Sequence, residues 1–224
     1  NVRPGDTLAV MGAGPVGQLA VASAQYLGIE DVIVVDRVPE RLERMKARGA
    51  RTINLDDLDG SQVSAVGDAV RDLTGGRGAD GVVDAVGMEA HGNPVAAAGL
   101  SAVSKLPSAI SEPLAKNAGI DRLAALHAAI DSVRRGGTVS VSGVYGGALD
   151  PMPMMQMFDK GIAMRMGQCH VKQWTDELRD VLVDADPFGV EQLATHRVGL
   201  DEAATMYDVF QKKQDGCQKV VLKP

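Results

Sequence analysis

Two patterns of hydrophobic and polar positions alternate along the chain. Short, almost wholly apolar runs predict strands that are buried on both faces. Between them, runs rich in Ala and Leu or spaced at the helical period predict helices. The predicted strands span residues 7–11, 32–36, 51–54, 80–87, 138–143 and 162–167, and the predicted helices 16–27, 39–47, 64–73 and 123–134.

This alternation predicts an α/β fold with a parallel sheet and helices on both faces. Six strands in two β-α-β-α-β halves are typical of a doubly wound (Rossmann) six-stranded parallel sheet. We assign residues 1–167 to this domain, with 88–120 as a long insertion rich in Ala, Gly, Ser and Pro. Residues 168–224 lie beyond the sixth strand. They predict a separate α+β segment, with helices at 175–183 and 201–212 and strands at 195–198 and 219–222.

Composition excludes several classes of protein. The chain has 224 residues and a formal charge of −6, which argues against a nucleic-acid surface. No apolar run reaches the roughly 20 residues of a membrane span, so we expect no membrane partner. Cys169 and Cys217 lie far apart with no C-x-x-C pair, which favours a reducing compartment and a cytoplasmic location. Asn1 is not an initiator Met, so either the start was removed or the chain is a segment of a longer protein.

A glycine motif joins the first predicted strand to the first helix. The stretch VMGAGPVG places Gly12, Gly14 and Gly17 at the spacing G-x-G-x-x-G. In this context the first glycine permits the tight turn, the second lets the backbone approach a pyrophosphate, and the third lets the helix pack against the strand. The helix N-terminus then offers N–H groups and a partial positive charge to phosphates. The alternative is a tight turn that binds no ligand.

Asp36 ends the second predicted strand, 19 residues after Gly17. A carboxylate at this place can accept hydrogen bonds from both hydroxyls of an adenosine ribose and would repel a 2′-phosphate. We therefore expect NAD rather than NADP. Arg37 and Arg41 act against this preference, because arginine is the residue that a 2′-phosphate requires.

Two further strand ends point to the same crevice, because ligands of open α/β sheets bind outside the carboxyl ends of the strands. The sequences DAVG (84–87) and SGVYGG (142–147) end in small residues that would let the backbone approach a nicotinamide. The chain offers no Tyr-x-x-x-Lys motif, no Ser-His-Asp set and no histidines at metal-ligand spacing. We therefore assign no catalytic residue and no metal ligand to it. Methionines cluster around the sixth strand and suit core filling, an adaptable pocket or a subunit contact.

Together these segments resemble a known family. VRPGDTLAVMGAGPVG, Asp36, VDAVG, GGTVSVSGVYGG and the closing FQKKQDGCQKVVLKP are similar to the zinc-containing medium-chain alcohol dehydrogenases. VDAVGMEAHG followed by an insertion resembles most the glutathione-independent formaldehyde dehydrogenase branch. In that family an N-terminal catalytic domain carries the zinc, the cofactor domain follows, and the final segment completes the catalytic domain. The resemblance implies that the N-terminal catalytic domain is missing here.

The resemblance also implies roles for individual residues. Asp36 would bind the adenosine ribose, with Arg37 and Arg41 nearby. Lys219 stands where the family commonly has a basic residue for the pyrophosphate. The remaining cofactor contacts would be Gly12, Ala13, Gly14, Pro15, Val16 and Gly17 at the pyrophosphate, and Ala85, Val86, Gly87, Gly143, Val144, Met164 and Met166 at the nicotinamide end.

The resemblance implies an NAD-dependent enzyme that oxidises a small alcohol or aldehyde hydrate, and a homo-oligomer, either a dimer or a tetramer. Zinc would be required by the intact enzyme and not bound by this chain, which alone would bind NAD without turnover. Two alternatives remain open at this point. One is a polyol or sugar dehydrogenase of the same superfamily, and the other is a stand-alone NAD-binding module. Exposed apolar surface on residues 168–224 would favour the fragment, and a polar surface the module.

Overall fold

The computed structural model describes residues 2–59, 62–86, 123–145 and 152–224. Within these ranges, strands and helices follow each other along the chain much as the hydrophobic pattern predicts. The strands are β1 (Thr7–Met11), β2 (Asp31–Asp36), β3 (Arg51–Asn54), β4 (Ala79–Asp84), β5 (Val133–Val141), β6 (Ala163–Met166), β7 (His196–Gly199) and β8 (Val220–Lys223). The helices are α1 (Pro15–Tyr26), α2 (Pro39–Ala47), α3 (Gln62–Leu73), α4 (Ala124–Ser132), α5 (Met154–Lys160), α6 (Val171–Ala185), α7 (Val190–Leu193) and α8 (Ala203–Gln211).

Six parallel strands form one sheet in the order β3-β2-β1-β4-β5-β6. This order confirms the doubly wound α/β fold. The chain proceeds outward in one direction from β1 through β3, and then returns to the other side of β1 with β4. The topological switch point therefore lies between β1 and β4, where such sheets form a ligand crevice at their carboxyl ends.

The central strands are apolar throughout because helices cover both faces of the sheet. All five residues of β1 are buried, and so are five of the six residues of β2. Their side chains alternate between two cores: Ala9 and Ile33 belong to one, and Val10 and Val34 to the other. A two-sided core explains why these strands show no alternation of polar and apolar residues.

The boundary between α4 and β5 differs from the prediction. The helix was expected to run to residue 134 and the strand to begin at 138, but α4 ends at Ser132 and β5 begins at Val133. The pairing with β4 shifts register between Ala79 and Gly81, so the strand accommodates two glycines that we had interpreted as a turn. Gly137 is required there, because a Cβ on it would lie 2.9 Å from the Asp80 carbonyl oxygen.

Other expected boundaries differ by a few residues, or lie outside the described residues. The insertion at 88–120 falls within the range 87–122, so its predicted structure is not tested. Helix α5 lies among the clustered methionines, where no helix was predicted, and α6 begins four residues earlier than expected.

The C-terminal segment forms a small parallel pair, β7 and β8, with the helices α6, α7 and α8. It contacts the larger sheet domain beside α1 and α2. The rings of Tyr26 and Phe188 meet edge to face with centroids 5.3 Å apart, and the Arg48 guanidinium donates to the Pro187 carbonyl at 3.2 Å. The division of the chain at residues 167 and 168 stays a prediction. No helix in the described ranges is long and apolar enough to cross a membrane.

Candidate cofactor site

The carboxyl ends of β1, β2 and β4 lie side by side at the switch point. Met11 pairs with Val35 on one side and with Asp84 on the other. Beyond the strand ends, the Gly12 N–H donates to the Val35 carbonyl at 2.7 Å, and the Ala85 N–H donates to the Met11 carbonyl at 2.9 Å. These bonds hold the glycine turn and the end of β4 next to each other.

Each glycine of the motif meets a different geometric requirement. Gly12 has a φ of 91°, a left-handed conformation that other residues rarely adopt. A Cβ on Gly17 would lie 1.8 Å from the Gly12 carbonyl oxygen, so α1 could not approach β1 with any larger residue. Gly14 is different, since the nearest atom to a Cβ there would be Arg41 Nη1 at 3.7 Å. The protein leaves space above Gly14, which is the place where a ligand would approach the backbone.

Helix α1 begins at this space with unoccupied donors. Gly14 is its N-cap and supplies no side-chain cap, and the first turn carries no acidic residue. The first helical backbone bond of the turn runs from the Gln18 N–H to the Gly14 carbonyl at 2.9 Å. Val16, in the first turn, is 56% exposed. The N–H groups of the first turn and the helix dipole are therefore available to an anion.

The peptide groups of Ala13 are held from both sides. Its N–H donates to Asp36 Oδ2 at 2.6 Å, and its carbonyl accepts from Gln18 Nε2 at 2.8 Å. Gln18 was not among the residues we singled out from the sequence. Its amide also donates to Gln218 Oε1 at 2.7 Å, which joins the turn to a residue 200 positions away.

Asp36 lies at the predicted place and is 8% exposed. Besides Ala13, it accepts through Oδ1 from the N–H groups of Arg37 and Val38, at 2.7 and 2.9 Å. A carboxylate has about four acceptor sites, so three backbone donors leave about one for a ligand. The expectation that Asp36 serves both ribose hydroxyls therefore requires that one of these backbone bonds be shared or exchanged.

Cationic side chains surround this carboxylate. Arg41, on the first turn of α2, is only 9% exposed, and no described residue accepts a hydrogen bond from its guanidinium. Lys213 was missed by the sequence analysis. Partial burial, followed by the charges of Arg41 and Arg37, lowers the pKa of Lys213, while Asp36 acts in the opposite direction. The guanidinium nitrogens of Arg41 are not among the buried atoms that lack a partner, so they reach solvent and can donate to an anion.

A second cluster lies at the ends of β4 and β5, where we expect the nicotinamide. Asp84 is fully buried, and its carboxylate accepts from the Val86 N–H at 3.0 Å and from the Tyr145 hydroxyl at 2.6 Å. Burial and the Asp84 charge raise the pKa of Tyr145, which keeps its hydroxyl protonated as a donor. The Asp84 carbonyl accepts from the N–H groups of Ser142 and Gly143. Asp84 and Tyr145 therefore hold the chain after β4 and the chain after β5 next to each other.

The remaining predicted contacts are placed as follows. Ala85 and Val86 are half-buried beside the turn, and a Cβ on Gly12 would lie 2.8 Å from Val86 Cγ2. Val144 is 76% exposed, and Gly87 lies outside the described residues. On β6, Met164 packs against the core, and Met166 is exposed. Lys219 is also exposed, and its carbonyl accepts from the His196 N–H at 3.3 Å. Their predicted roles toward a cofactor stay predictions.

Metal-ligating side chains do not converge in the described ranges. No group of three or more His, Cys, Asp or Glu residues there could hold a metal ion. Cys169 is exposed and Cys217 is buried, and both are free thiols. Burial raises the pKa of Cys217, which disfavours the thiolate that zinc requires. The described residues therefore do not fit a zinc site.

Comparisons with known proteins agree with this geometry. The family model described as zinc-binding dehydrogenase matches residues 15–98. A zinc-type alcohol dehydrogenase-like protein of Bacillus subtilis is 34% identical over all of this chain, and a formaldehyde dismutase of Pseudomonas putida is 31% identical over 95% of it. Among solved structures, an alcohol dehydrogenase from Thermus sp. ATN1 matches 99% of the chain with 31% identity and a TM-score of 0.72.

These matches cover only part of the other proteins. The chain spans 54% of the Bacillus subtilis protein, 50% of the Pseudomonas putida protein and 52% of the Thermus structure. The glycine turn, the strand order and these matches lead to one conclusion: the chain belongs to the zinc-type alcohol dehydrogenase family and corresponds to its cofactor-binding half.

Proposed function

We propose that this chain is the NAD-binding part of a zinc-dependent alcohol or formaldehyde dehydrogenase. The observation that carries this proposal is the space above Gly14. It is bordered by the donors of the first turn of α1 and by the guanidinium of Arg41, which donates to no described residue and whose Nη1 lies 3.7 Å from the Cβ position of Gly14. A pyrophosphate of charge about −2 supplies the acceptors and the charge that these groups lack.

The chain's own residues orient the cofactor. The first turn of α1 and Arg41 bind the phosphates, and Lys219 supplies a further positive charge for them. Asp36 accepts from the adenosine ribose and favours NAD over NADP. Ala85, Val86, Gly143 and Val144 form the wall against which the nicotinamide lies, and Asp84 with Tyr145 holds that wall in place. When bound, the nicotinamide accepts a hydride from the substrate.

The substrate and the metal belong to other parts of the protein. The formaldehyde dismutase match supports a short alcohol or aldehyde hydrate as substrate. We propose that a catalytic domain outside this chain holds the metal, and we expect no turnover by this chain alone. A homo-oligomer is also expected, and the two free thiols suit a cytoplasmic enzyme.

The test is a titration of the purified 224-residue chain with NADH and NADPH, followed by nicotinamide fluorescence. We expect saturable NADH binding, and NADPH binding about tenfold weaker, a difference of about 1.4 kcal/mol. Arg41→Met should lower the affinity for both nucleotides by a similar factor, since it removes a phosphate contact and keeps an apolar side chain.

Arg44→Met is the matched control, because Arg44 lies on the same helix and is exposed. Equal loss with both variants would show an unspecific charge effect. A chain that binds neither nucleotide would contradict the proposed function. Alcohol or formaldehyde oxidation by the pure, zinc-supplemented chain would contradict the expectation of no turnover.

A further inference from the structure

Gln218, in the C-terminal segment, lies directly behind the glycine turn. It is 2% exposed and is among the largest fully buried side chains of the described residues. Its Oε1 accepts from Gln18 Nε2, whose amide also donates to the Ala13 carbonyl. Since a side-chain amide carries two N–H donors, both donors of Gln18 are occupied, one on each side.

The two bonds orient the Gln18 amide in one direction only. Without an acceptor at residue 218, one buried N–H of Gln18 would lack a partner, at a cost of about 1–3 kcal/mol. The amide could then rotate away from Ala13 to find another acceptor. The Ala13 carbonyl would lose its bond, and of the two bonds that hold the Ala13 peptide groups only the one from the Ala13 N–H to Asp36 would remain.

The segment that carries Gln218 is itself well anchored. The Gln218 N–H donates to Thr195 Oγ1 at 3.0 Å, and the neighbouring Cys217 is buried. Gln218 precedes β8, which pairs with β7. A displacement of this pair would therefore move the acceptor that faces Gln18.

We infer that Gln218 is a positioning residue for cofactor binding: through Gln18 it fixes the Ala13 peptide, and it thereby makes the C-terminal segment part of the pyrophosphate site. The inference rests on the proposed function, since it concerns the ligand of the same turn. It also implies reciprocity: any contact that displaces β7 and β8 changes the affinity for the nucleotide, and nucleotide binding stabilises their position by the same factor.

Two variants of equal size test the acceptor. Gln218→Met keeps the volume and removes the acceptor, whereas Gln218→Glu keeps an oxygen that accepts from Gln18. We expect Gln218→Met to lower the affinity for ADP-ribose and for NADH about fivefold or more, and Gln218→Glu to restore most of that affinity. The affinity for AMP, which lacks the pyrophosphate, should fall less than twofold. Gln214→Met is the control, since Gln214 lies in the same segment and is exposed.

A double-mutant cycle of Gln218→Met with Gln18→Met shows whether Gln218 affects binding through Gln18. If Gln218 acts through Gln18, the double variant binds ADP-ribose no more weakly than Gln18→Met alone. Additive losses, or a Gln218→Met chain that melts earlier and yet binds ADP-ribose like the unmodified chain, would show a merely structural role and overturn the inference. If the unmodified chain binds neither ADP-ribose nor NADH, the proposed function fails, and the inference fails with it.

Discussion

At the scale of single residues, the three motif glycines are not equivalent. A Cβ on Gly17 would overlap the Gly12 carbonyl oxygen at 1.8 Å, whereas a Cβ on Gly14 would meet nothing closer than 3.7 Å. The sequence motif already predicts a different role for each glycine. The structure separates a glycine that the fold requires from one that only a ligand requires.

This difference gives a prediction about function and stability. Gly14→Ala should change the free energy of unfolding by less than about 0.5 kcal/mol and weaken NADH at least tenfold, because its Cβ occupies the space left for the phosphates. Gly17→Ala should destabilise the fold by about 3 kcal/mol, because α1 must move away from β1.

Urea unfolding and NADH titration of both variants check the prediction. Gly49→Ala shows the cost of backbone strain alone, since Gly49 has a positive φ (87°), unlike Gly14 and Gly17, and has no atom within 4 Å of its Cβ position. A Gly14→Ala chain that binds NADH normally would show that the space above Gly14 is not the phosphate site.

Asp84 and Gln18 show what sequence reasoning misses at this scale. Asp84 ends a strand like Asp36, but its partner Tyr145 lies 61 positions away, and the partner of Gln18 lies 200 positions away. Hydrogen bonds of this kind leave no periodicity in the sequence. Their only local signal is a polar residue at a position, next to a strand end, that the pattern predicts to be buried.

At the scale of elements, one carboxylate joins the starts of three strands at the edge opposite the cofactor site. Asp80 on β4 accepts from the Thr7 N–H at 2.9 Å, from Arg134 Nε at 2.5 Å and from Arg77 at 2.9 Å. Its side chain is only 4% exposed. Burial alone would raise its pKa, but the Thr7 N–H and the two guanidinium groups outweigh burial and lower it.

A pH dependence of stability follows from this lowered pKa. The pKa in the unfolded chain is about 3.9. The stabilisation by ionised Asp80 is therefore fully present above about pH 5 and is lost as the pH falls through the lower pKa of the folded state. Asp80→Asn should destabilise the chain by about 2 kcal/mol at pH 7, and the difference from the unmodified chain should shrink as the pH falls below about 4.

Urea unfolding between pH 3 and pH 7, as a rough span around that transition, measures this difference. Asp159→Asn serves for comparison, since Asp159 pairs with Arg135 on the surface, and we expect only a small change there. A loss at Asp80 that stays the same at every pH would mean that the geometry of the turn, and not the charge, stabilises these strands.

At the scale of the whole molecule, the C-terminal segment leaves apolar surface uncovered. All residues of α6 from 171 to 180 are exposed, among them Val171 (68%), Trp174 (47%) and Leu178 (43%). Their spacing places them on one side of the helix. A helix with such a stripe normally packs against another element. We therefore expect another element to cover this stripe, as the sequence analysis expected for a fragment and not for a stand-alone module.

We therefore expect the isolated chain to bind an apolar dye and to self-associate. Replacing Trp174 and Leu178 together by Gln should reduce both, because the substitutions remove the centre of the stripe. Dye fluorescence and light scattering measure the change. Leu27→Gln is the comparison, since Leu27 is 66% exposed on the sheet domain. Equal reduction by Leu27→Gln would show that the association does not depend on α6.

The sequence by itself determined the doubly wound six-stranded sheet, the glycine turn and the position of Asp36. A strand buried on both faces is a continuous apolar run, and a tight strand–helix turn requires glycines at fixed spacing. Both can therefore be recognised from neighbouring residues alone. The boundary of α4 and β5 was wrong because a register shift in the sheet accommodates Gly136 and Gly137. Only the tertiary structure decided which side chains meet. Gln218 reaches Gln18, and Tyr145 reaches Asp84, because the packing of distant segments sets these distances.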